Sequence, residues 1–513
     1  MRYWAEEFLA IRDRYGTRIG IVDQDGTHTI AEVLDHAAGI ADRLQNLGFG
    51  VGDYIATVFQ NSALAAAASY AVSLIGATDV PINPVLSRGD IEHALRLTGV
   101  KIILIDEKSP PLPVLSAPVE DVRQIERKPL SRLGWPEVDP DAPSRIVFTS
   151  GTTGPAKGAI HTHLSRWIGS ILLRASLPFW PDSHNRVLLM TPFSHGSSLL
   201  TFAYLAQGAS VHLIHGVDPD VVLPLLATGD ITEMFAPPTV LAKLTEAAGL
   251  PRYAEFKPKL TTILTGTAPL TQTVYRNAVN YFGGIIRVTY GKSEIFTPIT
   301  ILDPQDTAQA YAETESEGLC VGWAASGVRI EIRDENGNVL PQGDIGKIYL
   351  HSAHMFTGYI THTGLNMLEP GEFHDTGDVG QIDGRGRLYL VARESDIMKS
   401  GGYKISPHEI EHILAHAVQG TEFVVLGYPS DYWGEIVTVV AQRPPADWQD
   451  IMKTILPNMT SYKRPRLFVE IDDIPRNSIG KISRAQLREW ISENFDLVEK
   501  PQPAFVAKTK GDQ

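Results

Sequence analysis

Between residues 20 and 110, helix-period and strand-period segments alternate, and that alternation limits the fold more than any other feature. Residues 31–47 repeat apolar side chains at helical spacing and stop at Gly48. Residues 54–59 and 101–105 are short runs rich in β-branched side chains. Between them, residues 63–75 are apolar and alanine-rich, a pattern that predicts a buried helix. Strands separated by helices pair in parallel, in a sheet with helices on its faces. At 513 residues the chain is too long for one core. The expectation is an α/β fold in two parts. A large N-terminal domain of helix-covered sheets spans about 1–394, with a β-rich subdomain at about 318–390. A small mobile α+β domain spans 395–513.

The next constraint is chemical. After the strand-like residues 145–148 comes Phe148-Thr-Ser-Gly-Thr-Thr-Gly-Pro-Ala-Lys-Gly158. Glycines let backbone N–H groups turn inward on an anion, hydroxyls add donors, and Lys157 adds a compact charge. Such a stretch suits a polyphosphate. It is not a Walker A loop, which requires Ser or Thr after the lysine, where this chain has Gly158.

Composition narrows the partners. The net charge of −14 argues against nucleic acid as the main ligand, and anionic ligands must be held by local basic groups. The single cysteine, Cys320, allows no internal disulfide, fits a reducing cytoplasm, and is expected to be a buried apolar filler. Residues 63–81 are too short and too interrupted for a membrane span. Residues 500–513 are polar and expected to fray. A homodimer is the default oligomer.

The 148–158 stretch resembles the phosphate loop of the adenylate-forming superfamily, which comprises acyl-CoA synthetases, luciferase-like enzymes and peptide-synthetase adenylation domains. Ala156 departs from the proline usual before the lysine. Further motifs follow in the family's order, and the resemblance covers roughly residues 20–490. It implies the following roles. Thr149, Ser150, Gly151, Thr152, Thr153, Gly154 and Lys157 bind ATP phosphates. Gly266, Thr267 and Ala268 form a turn lining the adenine and acyl sites, with Thr267 narrowing the acyl pocket. Tyr290-Gly-Lys-Ser-Glu294 places Tyr290, Gly291 and Ser293 at the nucleotide and makes Glu294 the Mg²⁺ ligand. Asp378 accepts from the ribose hydroxyls, with Arg393 beside it. His195, at the end of Thr191-Pro-Phe-Ser-His, orients or gates the carboxylate.

Residues 393–411 resemble the hinge and first loop of the family's C-terminal domain. Ser395 stands where the family has Asp or Lys, so Asp396 is a second hinge candidate. Gly401, Gly402 and Tyr403 are expected to pass a CoA arm. Lys481, in Pro475-Arg-Asn-Ser-Ile-Gly-Lys481, matches the catalytic lysine; it lies within a run (463–488) of seven basic residues against three acids. Ser406 and Glu409 read as a capping box around Pro407. Residues 331–340, with Asn336-Gly337, read as a hairpin, and residues 108–143 as a long irregular connection.

The implied activity is an AMP-forming carboxylate:CoA ligase using ATP, Mg²⁺ and CoA. Three other readings stand beside it: transfer to a carrier-protein thiol, luciferase-like oxygenation, and a non-catalytic relative. No carrier domain is expected after residue 490, and the 192–195 segment lacks the aspartate that peptide-synthetase modules use for an amino group. Phe193, His195, Phe202, Tyr204, Phe235 and Phe296 suggest a flat or compact acid.

Overall fold

The computed structural model describes residues 3–112, 117–132, 134–149, 156–313, 318–400, 403–418, 420–476, 482–498 and 503–508. The predicted alternation becomes an eight-stranded sheet. Tyr54–Val58 pairs in parallel with Thr78–Ile82 and with Ile102–Ile105, and Thr78–Ile82 pairs with Pro143–Thr149. Pro143–Thr149 turns back antiparallel onto Lys157–Thr162, which in turn receives the hairpin of Gly358–Thr361 and Gly364–Met367. A seven-stranded sheet holds Ile19–Asp23, Arg186–Leu189, Ser210–Leu213, Glu233–Phe235, Thr262–Thr265 and Ile286–Val288 in parallel neighbours, with Gly26–Thr29 at its edge.

Two helices lie between these sheets. Ile30–Asn46 begins on a capping box in which Thr29 and Glu32 satisfy each other's backbone N–H. In Ala63–Leu74 every side chain except that of Leu64 is buried. A helix apolar on all sides needs apolar neighbours on all sides. It finds them in Ile55, Ile102 and Leu104 of one sheet and Ile21, Val187 and Val211 of the other. No helix among the described residues is long and apolar enough to cross a membrane. Cys320 is buried and free, and burial raises its thiol pKa.

A six-stranded sheet carries most of the segment predicted to be β-rich, in the order Thr300–Ile301, Leu319–Ala324, Leu388–Arg393, His374–Ile382, Gly346–Ser352, Val328–Arg333. The hairpin read at 331–340 is reduced to a turn with one bridge, Arg333 to Val339. The full antiparallel partner of Val328–Arg333 is Gly346–Ser352. The connection at 108–143 contains one strand, Val119–Asp121, parallel to Ile102–Ile105.

The C-terminal part has its own sheet, built on Glu422–Ser430 paired with Gly434–Gln442 and on Leu467–Ile471 parallel to the latter. Alternation sends Val425, Val437 and Val439 to one core with helices Pro407–Ala417 and Trp448–Ile455. It sends Val424, Leu426 and Val440 to a second core under Arg484–Asn494. Two expectations are corrected here. Ser406 makes no side-chain cap: its hydroxyl donates to Val391 O at 2.8 Å, and Glu409 pairs with Lys463 instead of closing a box. Pro407 does open the helix. Residues 504–507 do not fray but pair with Phe495–Val498, because Phe505 packs edge-on against Tyr428.

Candidate active site

A cleft of about 1620 Å³ runs between the N-terminal part and the C-terminal helices. Of the residues singled out from sequence, it is bordered by His195, Thr267, Ala268, Tyr290, Gly291, Ser293, Glu294, Asp378, Arg393, Ser395 and Asp396. Ser150, Gly151, Thr152, Thr153, Gly154, Gly401, Gly402 and Lys481 lie outside the described residues. Thr149 closes the strand Pro143–Thr149, opposite Lys157. Tyr403 is half exposed and stacks on Tyr462, centroids 4.1 Å apart, away from the cleft lining.

Strand ends build the first wall. Thr262–Thr265 ends in Gly266, where a Cβ would stand 2.5 Å from Thr289 O, so only glycine lets the two strand ends approach. Thr267 follows in the left-handed region at φ 71°. A β-branched residue there costs roughly 1–3 kcal/mol, and such strain concentrates where a ligand is held. Ile286–Val288 leads to Tyr290, whose hydroxyl donates to Asp378 Oδ2.

Asp378 is the meeting point of three groups. It faces Arg393 across the strand pair, with Oδ1 2.8 Å from Arg393 Nε. Oδ2 also accepts from Lys292 Nζ at 3.1 Å, and Lys292 donates as well to Thr376 O. Burial raises the carboxyl pKa, but Lys292, Arg393 and Tyr290 outweigh it and keep Asp378 below the ordinary range. Buried carboxylates ionise only with such partners.

Glu294 forms a second corner. Its Oε1 accepts from the Tyr359 hydroxyl at 2.7 Å. Burial pushes its pKa up; Lys292, Tyr359 and His374 bring it below the ordinary carboxyl value. Tyr359 comes from the strand beside Lys157–Thr162, and Lys157 Nζ lies 5.7 Å from its ring centroid. His161 on the same strand lies 2.8 Å from Ser293 O through Nε2 and stacks on Phe296 at 3.9 Å. Burial lowers its pKa to about 3, so the ring is neutral and Nε2 is the donor to the carbonyl. Ser293 and Glu294 are thus pinned to the hairpin that carries Lys157.

His195 sits in a break within Phe193–Ser197, at φ −120° and ψ −135°. Asn61 anchors that turn, accepting from Phe193 N at 2.8 Å and donating to Thr191 O at 2.9 Å. Behind it, buried Arg145 pairs with Asp79 at 3.0 Å and donates to Ser198 Oγ at 3.0 Å. Of the six flat residues expected to shape an acid pocket, only His195 borders the cleft. Phe202 is packed among Trp4, Phe8 and Tyr70, Tyr204 against Phe179, and Phe296 on His161. That reading of the acid therefore loses its basis: the rings fill cores.

At the hinge candidate, Glu394–Asp396 is a short 3-10 turn. Asp396 Oδ2 pairs with Arg484 at 3.0 Å, and Arg484 also pairs with Glu411 at 2.6 Å. Despite burial, Arg484 and His408 bring the Glu411 pKa down to about 2. Ser395 only reaches its neighbour, Asp396, at 3.4 Å.

Sequence reasoning missed Tyr359, His161, Arg145 and Asp79, and gave Lys292 no role. Lys292 alone carried a signal, as a charge inside the 290–294 turn. Among the described residues, no group of three or more His, Cys, Asp or Glu side chains could hold a metal. Glu294 fits a different arrangement. Its Oε2 has no partner among the described residues, and one carboxylate oxygen facing a cleft suits a hard cation completed by ligand oxygens.

Known proteins share this architecture. A 2-succinylbenzoate–CoA ligase of Listeria monocytogenes is 25% identical over 472 residues, covering 91% of this chain and 96% of that protein. The long-chain-fatty-acid–CoA ligase FadD13 of Mycobacterium tuberculosis is 27% identical over 497 residues, covering 90% and 93%. ATP-bound MatB from Rhodopseudomonas palustris matches with a TM-score of 0.81 at 25% identity, over 95% of this chain and 99% of that one. The family described as AMP-binding enzyme matches residues 10–360, and the chain belongs to it.

Proposed function

We propose that this protein is an AMP-forming carboxylate:CoA ligase. The observation that carries the reading is that one cleft gathers Tyr290, Lys292, Glu294, Asp378 and Arg393, each ionised or hydrogen-bonded as a nucleotide site requires. The relatives' names add weight, since CoA ligases of aromatic and fatty acids match nearly end to end.

A carboxylate resists nucleophiles because of its charge and its poor leaving group. In the first half-reaction its oxygen attacks the α-phosphorus of ATP, and pyrophosphate leaves. In the second, a thiol attacks the acyl carbon and AMP leaves with the bridging oxygen. Phosphoryl transfer of this kind depends on positioning and charge neutralisation more than on proton transfer. Lys157 and the hydroxyl-rich loop before it would hold the phosphates. Thr267 and Ala268 would face the base, and Asp378 with Arg393 the ribose. His195 would orient the acid, and Lys481 would neutralise charge between the carboxylate and the α-phosphate. Glu294 would hold Mg²⁺ through Oε2 while Tyr359 fixes Oε1; bound there, the ion screens the phosphate oxygens as the acid approaches. The loop with Gly401 and Gly402 would admit the CoA arm after rotation of residues 395–513 about 393–396.

The test is pyrophosphate release with ATP and Mg²⁺ over a panel of acids, from acetate to palmitate and the benzoates, with and without CoA. Turnover that needs one acid class and rises with CoA supports the ligase and names its acid. Release held to one equivalent regardless of CoA points to another acceptor.

A further inference from the structure

The hydrogen-bond capacity of Asp378 leads to a residue with no role so far, and the step rests on the nucleotide reading above. An ionised carboxylate offers about four acceptor positions, two on each oxygen. Oδ2 already takes the Tyr290 hydroxyl and the Lys292 ammonium. Oδ1 takes the Arg393 contact at 2.8 Å. Among the described residues nothing else reaches it. One position is left, on Oδ1. A ribose presents two neighbouring hydroxyls, so Asp378 can accept from one of them but not from both.

Lys292 has the complementary surplus. An ammonium has three hydrogens. One goes to Thr376 O and one to Asp378, and the third has no acceptor among the described residues. The side chain is only 7% exposed, yet it borders the cleft beside Asp378. A buried donor left without an acceptor is costly, and a ligand hydroxyl oxygen would remove that cost.

We propose that Lys292 is a specificity-determining residue that reads the ribose together with Asp378. One hydroxyl donates to Asp378 Oδ1, and its neighbour accepts from Lys292 Nζ. The nucleotide is thus recognised by one acceptor and one donor, each tied to a different hydroxyl.

The experiment is calorimetric binding of AMP, 2′-deoxy-AMP and 3′-deoxy-AMP to the full chain and to Lys292→Met, Lys292→Gln and Asp378→Asn. The intact protein should bind each deoxynucleotide about ten-fold or more weakly than AMP. Lys292→Met should abolish the discrimination against one deoxynucleotide, and Asp378→Asn that against the other. Lys292→Gln keeps a donor without the charge and should retain most of the discrimination, which guards against misfolding of the Met variant. If Lys292→Met weakens all three ligands equally, or both variants act on the same hydroxyl, Lys292 is a counter-ion and the inference fails. An intact protein that binds AMP without discriminating also overturns it. An intact protein that binds no AMP overturns the nucleotide reading itself.

Discussion

Two buried charge clusters in the N-terminal part differ in what they leave unused. Around Asp79 everything is consumed. Its oxygens accept from Thr57 at 2.8 Å, Ser69 at 2.7 Å and Arg145 at 3.0 Å. Arg145 turns its other nitrogen to Ser198, and nearby Arg166 donates to Ser144 and Ser73 and covers Trp4. None of these three ionised residues borders the cleft. Around Asp378 and Glu294 the ion pairs are as deeply set, but an acceptor on each acid and a donor on Lys292 remain and face the cleft. Burial of charge does not by itself mark a site. The first cluster braces the turn that presents His195, and the second has capacity reserved for a ligand.

The sharpest way to break that contrast is Asp79→Leu. It leaves two buried guanidinium groups without a carboxylate and should cost about 3–5 kcal/mol in denaturant unfolding. Adding Arg145→Met and Arg166→Met should restore most of the loss, since apolar replacements of a whole buried cluster are often tolerated. A small effect of Asp79→Leu alone would mean the cluster is not the closed unit described. At the open cluster the order reverses. Glu294→Gln should lower pyrophosphate formation by roughly 10²–10³-fold, by analogy with the loss of one fixed electrostatic partner, and leave the unfolding midpoint nearly unchanged. A large fall in stability with unaltered rate would place Glu294 in the architecture instead.

Acid should act through a histidine beside each cluster. His161 near Glu294 and His163 near Arg166 have pKa values lowered by burial from 6.5 to about 3. Their folded values are depressed, so the unfolded chain binds the protons first. Their stabilisation is complete above pH 6.5 and declines as pH falls toward 3. Urea unfolding at pH 7.5 and pH 5 should therefore differ by about 2 kcal/mol for each imidazole. His163→Asn should flatten part of that slope; an unchanged slope would mean His163 does not titrate as described. The smallest effect is expected from Tyr359→Phe. Losing one hydrogen bond to Glu294 should weaken the Mg²⁺ dependence of turnover by about 1 kcal/mol, read as a shift in half-saturating Mg²⁺.

The parts of this arrangement that could be read from sequence are those that depend on neighbours along the chain. The strands, the buried helix Ala63–Leu74 and the Tyr290–Glu294 turn have local periods or contiguous motifs. Tyr359 could not be found that way, because only the pairing of Gly358–Thr361 with Lys157–Thr162 brings it to Glu294. Lys292 was visible, but its meaning depends on Thr376 and Asp378, which arrive from another sheet. Phe202 and Phe296 misled because an aromatic side chain looks the same in a core as in a pocket. Ser406 misled because Val391 O lay within reach of its hydroxyl and competed with the helix N-terminus.

The most direct test of the ligase account follows the oxygen. With an accepted acid labelled with ¹⁸O in its carboxylate, and with ATP, Mg²⁺ and CoA present, one labelled oxygen should appear in AMP and none in pyrophosphate. Label in orthophosphate, with ADP as the nucleotide product, would mean an acyl phosphate and would contradict the account.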